Sequence, residues 1–266
     1  MAKKNEKSTH VNQLFDSAER DGALTPGGKK TLDLVDVGDL GAQIQAGLGV
    51  AVDDVESSEV VLVTMMPDDS GSIRFAGNAA AVRDGHNLVL EALAASKQRD
   101  DVFVHTRYLN GTVLYPYTHV AQAERMSTGN YDPCHGTPLY DQAVVLLATV
   151  LAKAQEFADN GVPVRTVTLL ITDGADAHST RAKASHVAAL AHDMLAAENH
   201  IIAAMGIDDG HTDFHRVFRD MGVPREWVLT PGNTATEVRK AFQVFSQSAV
   251  QMSQTAAFGG FGGFVN

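Results

Sequence analysis

The sequence predicts an α/β fold: a doubly wound, mostly parallel sheet with one antiparallel edge strand and helices on both faces. Three observations carry this expectation. Apolar runs at Val60 to Met66, Thr166 to Thr172 and Ile201 to Ile207 are nearly unbroken, as strands covered on both faces require. Longer stretches between and after them carry apolar residues every three or four positions, the period of amphipathic helices. Strands alternating with helices are the signature of a parallel sheet whose strands are joined by crossover helices.

In chain order, residues 1–58 mix polar stretches and glycines with two weakly apolar patches, one of which places Leu40, Ile44 and Leu48 at helical spacing within Gly38 to Val50. We read them as an N-terminal arm that packs on the main domain or on a partner. The main domain is expected over residues 59–252. It opens with the strand Val60 to Met66, followed by a helix over Asn78 to Ser96. Val102 to Thr118 holds two strand-like runs around Asn110-Gly111, the preferred pair for a tight hairpin turn, so one edge strand should be antiparallel. A helix over Pro138 to Ala158, the strand Thr166 to Thr172, a helix over Ser179 to Asn199, the strand Ile201 to Ile207 and a shorter helix over Asp213 to Met221 follow. Trp227 is expected to anchor an edge strand, and a helix over Thr234 to Met252 closes the domain. Residues 253–266 include Phe258-Gly259-Gly260-Phe261-Gly262-Gly263-Phe264, a Gly/Phe repeat without helical or strand pattern, read as a flexible tail.

Composition narrows the function classes. At 266 residues the chain suits one sizeable α/β domain with extensions. Its 44% apolar and 20% charged residues are ordinary for a soluble protein, and no apolar run is long enough to span a bilayer, so no membrane role is expected. The start, Met1-Ala2-Lys3-Lys4-Asn5-Glu6-Lys7, leads into polar residues and is not a secretory signal. The single cysteine, Cys134, excludes an internal disulfide framework. Both observations favour the cytoplasm. A formal net charge of −11 argues against binding nucleic acid, which depends on clustered Lys and Arg.

Five polar residues that border apolar segments carry the functional reading. Asp68, Ser70 and Ser72 follow the first strand in Pro67-Asp68-Asp69-Ser70-Gly71-Ser72; Thr137 lies in His135-Gly136-Thr137-Pro138-Leu139; Asp173 follows the second strand in Leu170-Ile171-Thr172-Asp173-Gly174. Doubly wound sheets bind ligands outside the carboxyl ends of their central strands, where Asp68 and Asp173 fall. Hydroxyls and carboxylates are hard oxygen ligands that suit Mg²⁺, Mn²⁺ or Ca²⁺ rather than zinc. Each residue taken alone is also compatible with a helix N-cap. Gly71 and Gly136 would let the two loops approach an ion closely. Asp69 is expected to face solvent, Cys134 and His135 to have no special part, and His211 and His215 to belong to a solvated helix start.

The order Asp-x-Ser-x-Ser, a distant Thr and a distant Asp resembles the metal-ion-dependent adhesion site of von Willebrand factor A domains. The resemblance covers roughly residues 58–252, and Asp69 departs from it, since the family more often has a small residue there. It implies the fold derived above and a divalent cation held by Asp68, Ser70, Ser72, Thr137 and Asp173, with neutral hydroxyls as direct ligands and the aspartates often acting through metal-bound water. It further implies a protein-binding module in which an acidic side chain of a partner completes the shell, and a subunit of a larger intracellular assembly rather than an enzyme. No nucleophile with a supporting base is evident, since Ser70 does not lie in a Gly-x-Ser-x-Gly turn. Two alternatives stay open: a metal-dependent phosphoester hydrolase, and a scaffold whose metal site is vestigial.

Overall fold

A computed structural model describes residues 2–34, 40–254 and 262–264. The chain opens with three helices, α1 (Ala2–Arg20), α2 (Pro26–Leu34) and α3 (Leu40–Leu48). The sheet part follows as β1 (Val60–Met66), α4 (Gly71–Phe75), α5 (Ala79–Ala94), β2 (Val102–Arg107), β3 (Val113–His119) and α6 (Leu139–Asp159). It continues with β4 (Val164–Thr172), α7 (Ala184–Ala196), β5 (His200–Gly206), α8 (Phe214–Asp220), β6 (Val228–Leu229) and α9 (Ala235–Ser253).

The six strands form one sheet in the order β3-β2-β1-β4-β5-β6, and only β3 runs antiparallel to its neighbour. This is the expected fold class. Every residue of β1, β2, β4 and β5 is buried, the reason their sequences lack an alternating polar face. Strand β3 alternates partly, with Tyr115 and Tyr117 buried and Pro116 exposed, as an edge strand can. The β2–β3 turn uses Leu109, Asn110 and Gly111: the Gly111 N–H donates to the Tyr108 carbonyl at 2.8 Å, and Gly111 takes φ +94°. The loop is therefore three residues long, one more than the tight Asn-Gly turn.

Helices α5 and α9 pack together on one face, and α6 with α7 on the other. Helix α6 is buried almost all round, because α1 and α3 cover its outer side. Val11, Leu14, Phe15 and Ala18 form one stripe of α1 and join Ile44 and Leu48 of α3 in the main core. Lys153 of α6 is fully buried; its ammonium donates to the Val50 carbonyl and meets Glu156 at 2.7 Å, which fixes the connector after α3.

One helix begins later than its periodicity suggests. The stretch from Ser179 reads as helical, but α7 starts at Ala184, because the Asp141 carboxylate accepts the N–H groups of Thr180, Arg181 and Ala182 at 2.9, 3.1 and 2.6 Å. Those donors are held in a loop instead of a first helical turn. Most of the Gly/Phe tail lies outside the described residues. Within it, the Phe264 N–H donates to the Glu226 carbonyl at 3.3 Å and its ring meets Trp227 edge-on with centroids 5.2 Å apart. Trp227 itself is buried immediately before the edge strand β6.

Candidate functional site

The loops after β1 and β4 lie side by side because those strands pair directly, with Met66 opposite Leu170. Asp68 joins the two. Its side chain is fully buried; Oδ1 accepts the Ser70 N–H at 2.7 Å, and Oδ2 accepts the hydroxyl of Thr172, the last residue of β4, at 2.7 Å. The buried Tyr131 donates its phenol to the Asp68 carbonyl.

A hydroxyl relay runs outward from this anchor. Ser72 Oγ donates to Asp173 Oδ1 at 2.6 Å, which uses its single proton, so the 2.9 Å contact with Ser70 Oγ is a bond donated by Ser70. Ser70 stands at the N-cap position of α4, yet its side chain makes no capping bond. The backbone therefore gives no local reason for this hydroxyl, which is spent on the relay instead of the helix. Ser72 is exposed, so the relay opens to solvent at that end.

Thr137 stands in the adjoining loop. Its backbone is tied down: the N–H donates to His178 Nδ1 at 2.8 Å, and the carbonyl accepts the N–H groups of Ala177 and His178 at 3.1 and 3.2 Å. It is not a helix cap, since α6 starts at Leu139 with Pro138 at the cap. The structure thus links Asp68, Ser70, Ser72 and Asp173 by side-chain bonds and places Thr137 beside them through its loop. That loop passes close to His178, whose ring would lie 2.8 Å from a Cβ at position 136, so Gly136 is needed there. At position 71 a Cβ would meet only the Phe75 ring at 3.5 Å, an ordinary contact, so no protein neighbour requires glycine there.

Asp69 corrects another expectation. It does not face solvent but is 2% exposed, with Oδ1 accepting the Asn110 N–H at 3.0 Å and Oδ2 lying 3.0 Å from His135 Nδ1. His135, expected to have no special part, is thereby bound to the site. Asp69 is reached by neither spacing nor propensity, since a turn residue after a strand reads as exposed. Thr172, Tyr131, His178 and Asp141 are further supports that the sequence reading passed over. Among these only Thr172, a polar end to an apolar strand beside Asp173, gave a local signal.

His211 and His215 do not share a helix face. Helix α8 begins at Phe214 with Asp213 as its N-cap, which leaves His211 in the preceding loop. Among the described residues no three His, Cys, Asp or Glu side chains converge as metal ligands, so a cation at the relay would depend on hydroxyl oxygens.

Burial dominates the electrostatics. It pushes the Asp68 carboxyl up, and lifts Asp69 and Asp173 to about 6 against the bonds that Asn110 and Ser72 donate to them. The hydrogen-bond partners of the three carboxylates are backbone N–H groups and hydroxyls, and one imidazole lies beside Asp69. Such a cluster is short of positive charge, and its donors are hard oxygens. Hydroxyls and carboxylates at the ends of neighbouring strands are the donor set that a small divalent cation takes, so the chemistry of these residues fits one.

No protein-family profile and no curated protein matches the chain. Solved structures resemble it in fold. The pilus adhesin SpaC from Lactobacillus rhamnosus GG aligns at TM-score 0.53 and 14% identity over 74% of this chain and 30% of its own. Proximal thread matrix protein 1 from the mussel byssus aligns at TM-score 0.50 and 14% identity over 72% of this chain and 48% of its own. A von Willebrand factor type A protein from Catenulispora acidiphila aligns at TM-score 0.46 and 18% identity over 73% of this chain and 43% of its own. The chain spans about a third to a half of the length of these proteins. The sheet order, mostly parallel with a single antiparallel edge strand, is that of a doubly wound, Rossmann-like fold. Among the described residues no helix is long and apolar enough to cross a membrane.

Proposed function

We propose that this chain is a von Willebrand factor A-type module that binds a divalent cation, Mg²⁺ first, through Asp68, Ser70, Ser72, Thr137 and Asp173, and uses it to hold an acidic group of a protein partner. The observation that carries the proposal is the relay from Ser70 through Ser72 to Asp173, anchored on Asp68 at the carboxyl ends of two central strands. Four residues from two distant segments share one bonded chain, and the helix-cap role that could explain Ser70 is left unused.

In this reading Ser70, Ser72 and Thr137 present neutral oxygens, while Asp68 and Asp173 balance charge from the inner side. A bound cation supplies the positive charge that attracts a carboxylate, and few charged direct ligands leave much of that charge available. The chain's own residues fix the position of that charge and shield its inner side from water. Ser72 marks the open side where a partner enters. The work is binding, so the module needs no general base. The SpaC protein, similar in fold, is an adhesin, which agrees with a binding role. The net charge of −11 disfavours nucleic acid as the partner. A free, exposed Cys134 suits a reducing compartment such as the cytoplasm, and a binding module of this kind suits a subunit of a larger assembly.

The test is co-purification from the native source in Mg²⁺ and in chelator. A partner recovered in Mg²⁺ should be lost with chelator and lost with Thr137→Ala or Asp173→Ala. Recovery unaffected by both chelator and substitution contradicts the proposal.

A further inference from the structure

The residue that departs from the resembled pattern has the densest set of contacts at the site. Asp69 touches three loops at once. Its own loop carries Asp68, Ser70 and Ser72. Its carbonyl accepts the N–H groups of Cys134 and His135 at 3.0 and 3.1 Å, and its Oδ2 meets the His135 ring at 3.0 Å, so it also holds the loop that carries Thr137. Its Oδ1 accepts the Asn110 N–H at 3.0 Å, which adds the β2–β3 turn. The first two loops are joined again where the Gly71 N–H donates to the His135 carbonyl at 3.0 Å, a parallel bridge between Ser70 and His135. The turn is held in place from beneath, where Arg107 donates to the Gly111 carbonyl at 3.1 Å and the Leu109 N–H to the Pro67 carbonyl at 3.1 Å.

We propose that Asp69 is a positioning residue that sets the distance between the Ser70 to Ser72 segment and Thr137, and through it the affinity of the site for its cation. The inference rests on the metal-site reading above. The physical argument is about the direction of the side chain. The three-loop contacts use both carboxylate oxygens, one accepting the Asn110 N–H and the other facing the His135 ring, so the group is committed to the loops and not to the relay. A small residue at this position would leave the backbone contacts to the Cys134 and His135 amides in place. It would remove the acceptor that fixes the turn and the ring contact that fixes His135. The Thr137 loop would then be held to its neighbour by main-chain bonds alone, and Thr137 would sample positions away from the serines. Groups that orient metal ligands without touching the metal commonly contribute ten- to a hundredfold to affinity.

The experiment compares the full-length chain with Asp69→Ala, Asp69→Asn and His135→Ala by calorimetric titration of Mg²⁺ and Mn²⁺ alone, and by hydrogen exchange of the metal-free proteins. Asp69→Ala should weaken cation binding at least tenfold and speed exchange at the amides of Asn110, Cys134 and His135, while the sheet still unfolds in one cooperative step. Asp69→Asn keeps an acceptor for Asn110 and should recover most of the affinity. His135→Ala should fall between the two. Unchanged affinity and unchanged exchange in Asp69→Ala overturn the positioning role. If Asp69→Ala fails to fold, Asp69→Asn and His135→Ala carry the test, and wild-type affinity and exchange in His135→Ala then count against it. Should the wild-type protein bind neither cation, the metal-site reading fails by itself, while the exchange comparison still decides whether Asp69 holds the three loops.

Discussion

At the scale of single residues, the polar groups in this core differ in what they gain from being there. His86, His105 and His200 are buried and held neutral, with His86 and His200 pushed down to about 4 and His105 to about 3. Burial is the main cause; for His105 the nearby Arg107 adds to it, and a bond to the Tyr115 carbonyl at 2.8 Å works against it. A histidine depressed in the folded state is protonated first in the unfolded chain, near its ordinary value of about 6.5. Its contribution to stability is therefore complete above that value and declines as pH falls toward the folded value. Asp69 and Asp173 act in the opposite sense without a cation, because carboxyls raised to about 6 take up protons in the folded state before the unfolded one. The two effects offset each other below pH 6, so the histidine contribution is best read as a difference between proteins. Denaturant unfolding of His105→Asn in chelator should show a pH dependence between 6 and 4 shallower in slope than wild type, by about 1.4 kcal/mol per pH unit for one proton. Parallel curves would show that His105 is not held neutral.

At the scale of elements, what the sequence could and could not show follows from the range of the contacts. Strands β1, β4 and β5 and helices α5, α6, α8 and α9 are set by local apolar pattern, and their ends agree within one or two residues of the expected spans. Helix α7 departs because its first turn is replaced by a long-range contact to Asp141, 39 residues before Thr180, which no local period records. Asp141→Ala would strand three backbone donors, one of them at Ala182, which is buried. We expect a loss of about 2 kcal/mol in denaturant unfolding, within the range for unsatisfied buried groups. The loop so released also carries His178, the acceptor for the Thr137 N–H, so exchange at Thr137 should quicken in the same variant. A midpoint equal to wild type, with protected amides at Thr180 to Ala182, would contradict this account of the helix start.

At the scale of the whole molecule, the first three helices and the site show the two ways a sequence hides its structure. Helix α1 gives little local signal because its apolar stripe, Val11, Leu14, Phe15 and Ala18, is narrow and set among polar residues. The signal for it lies elsewhere, in the middle of α6, where Ala143 to Ala152 is apolar apart from Thr149 and so requires cover on both sides. The relay residues were legible because Asp68, Ser70, Ser72 and Asp173 stand at strand ends in a recognisable order. Asp69, His135 and Asp141 were not, since their roles are contacts between loops that only the fold brings together. The site therefore depends on the packing of the whole sheet, and its cation affinity measures that organisation. The most direct measurement is calorimetric titration of Mg²⁺ into the wild-type chain and Asp173→Ala. Saturable binding to wild type with a loss of at least tenfold in Asp173→Ala is the predicted result, and equal affinity in the two proteins, or no binding to either, contradicts the account.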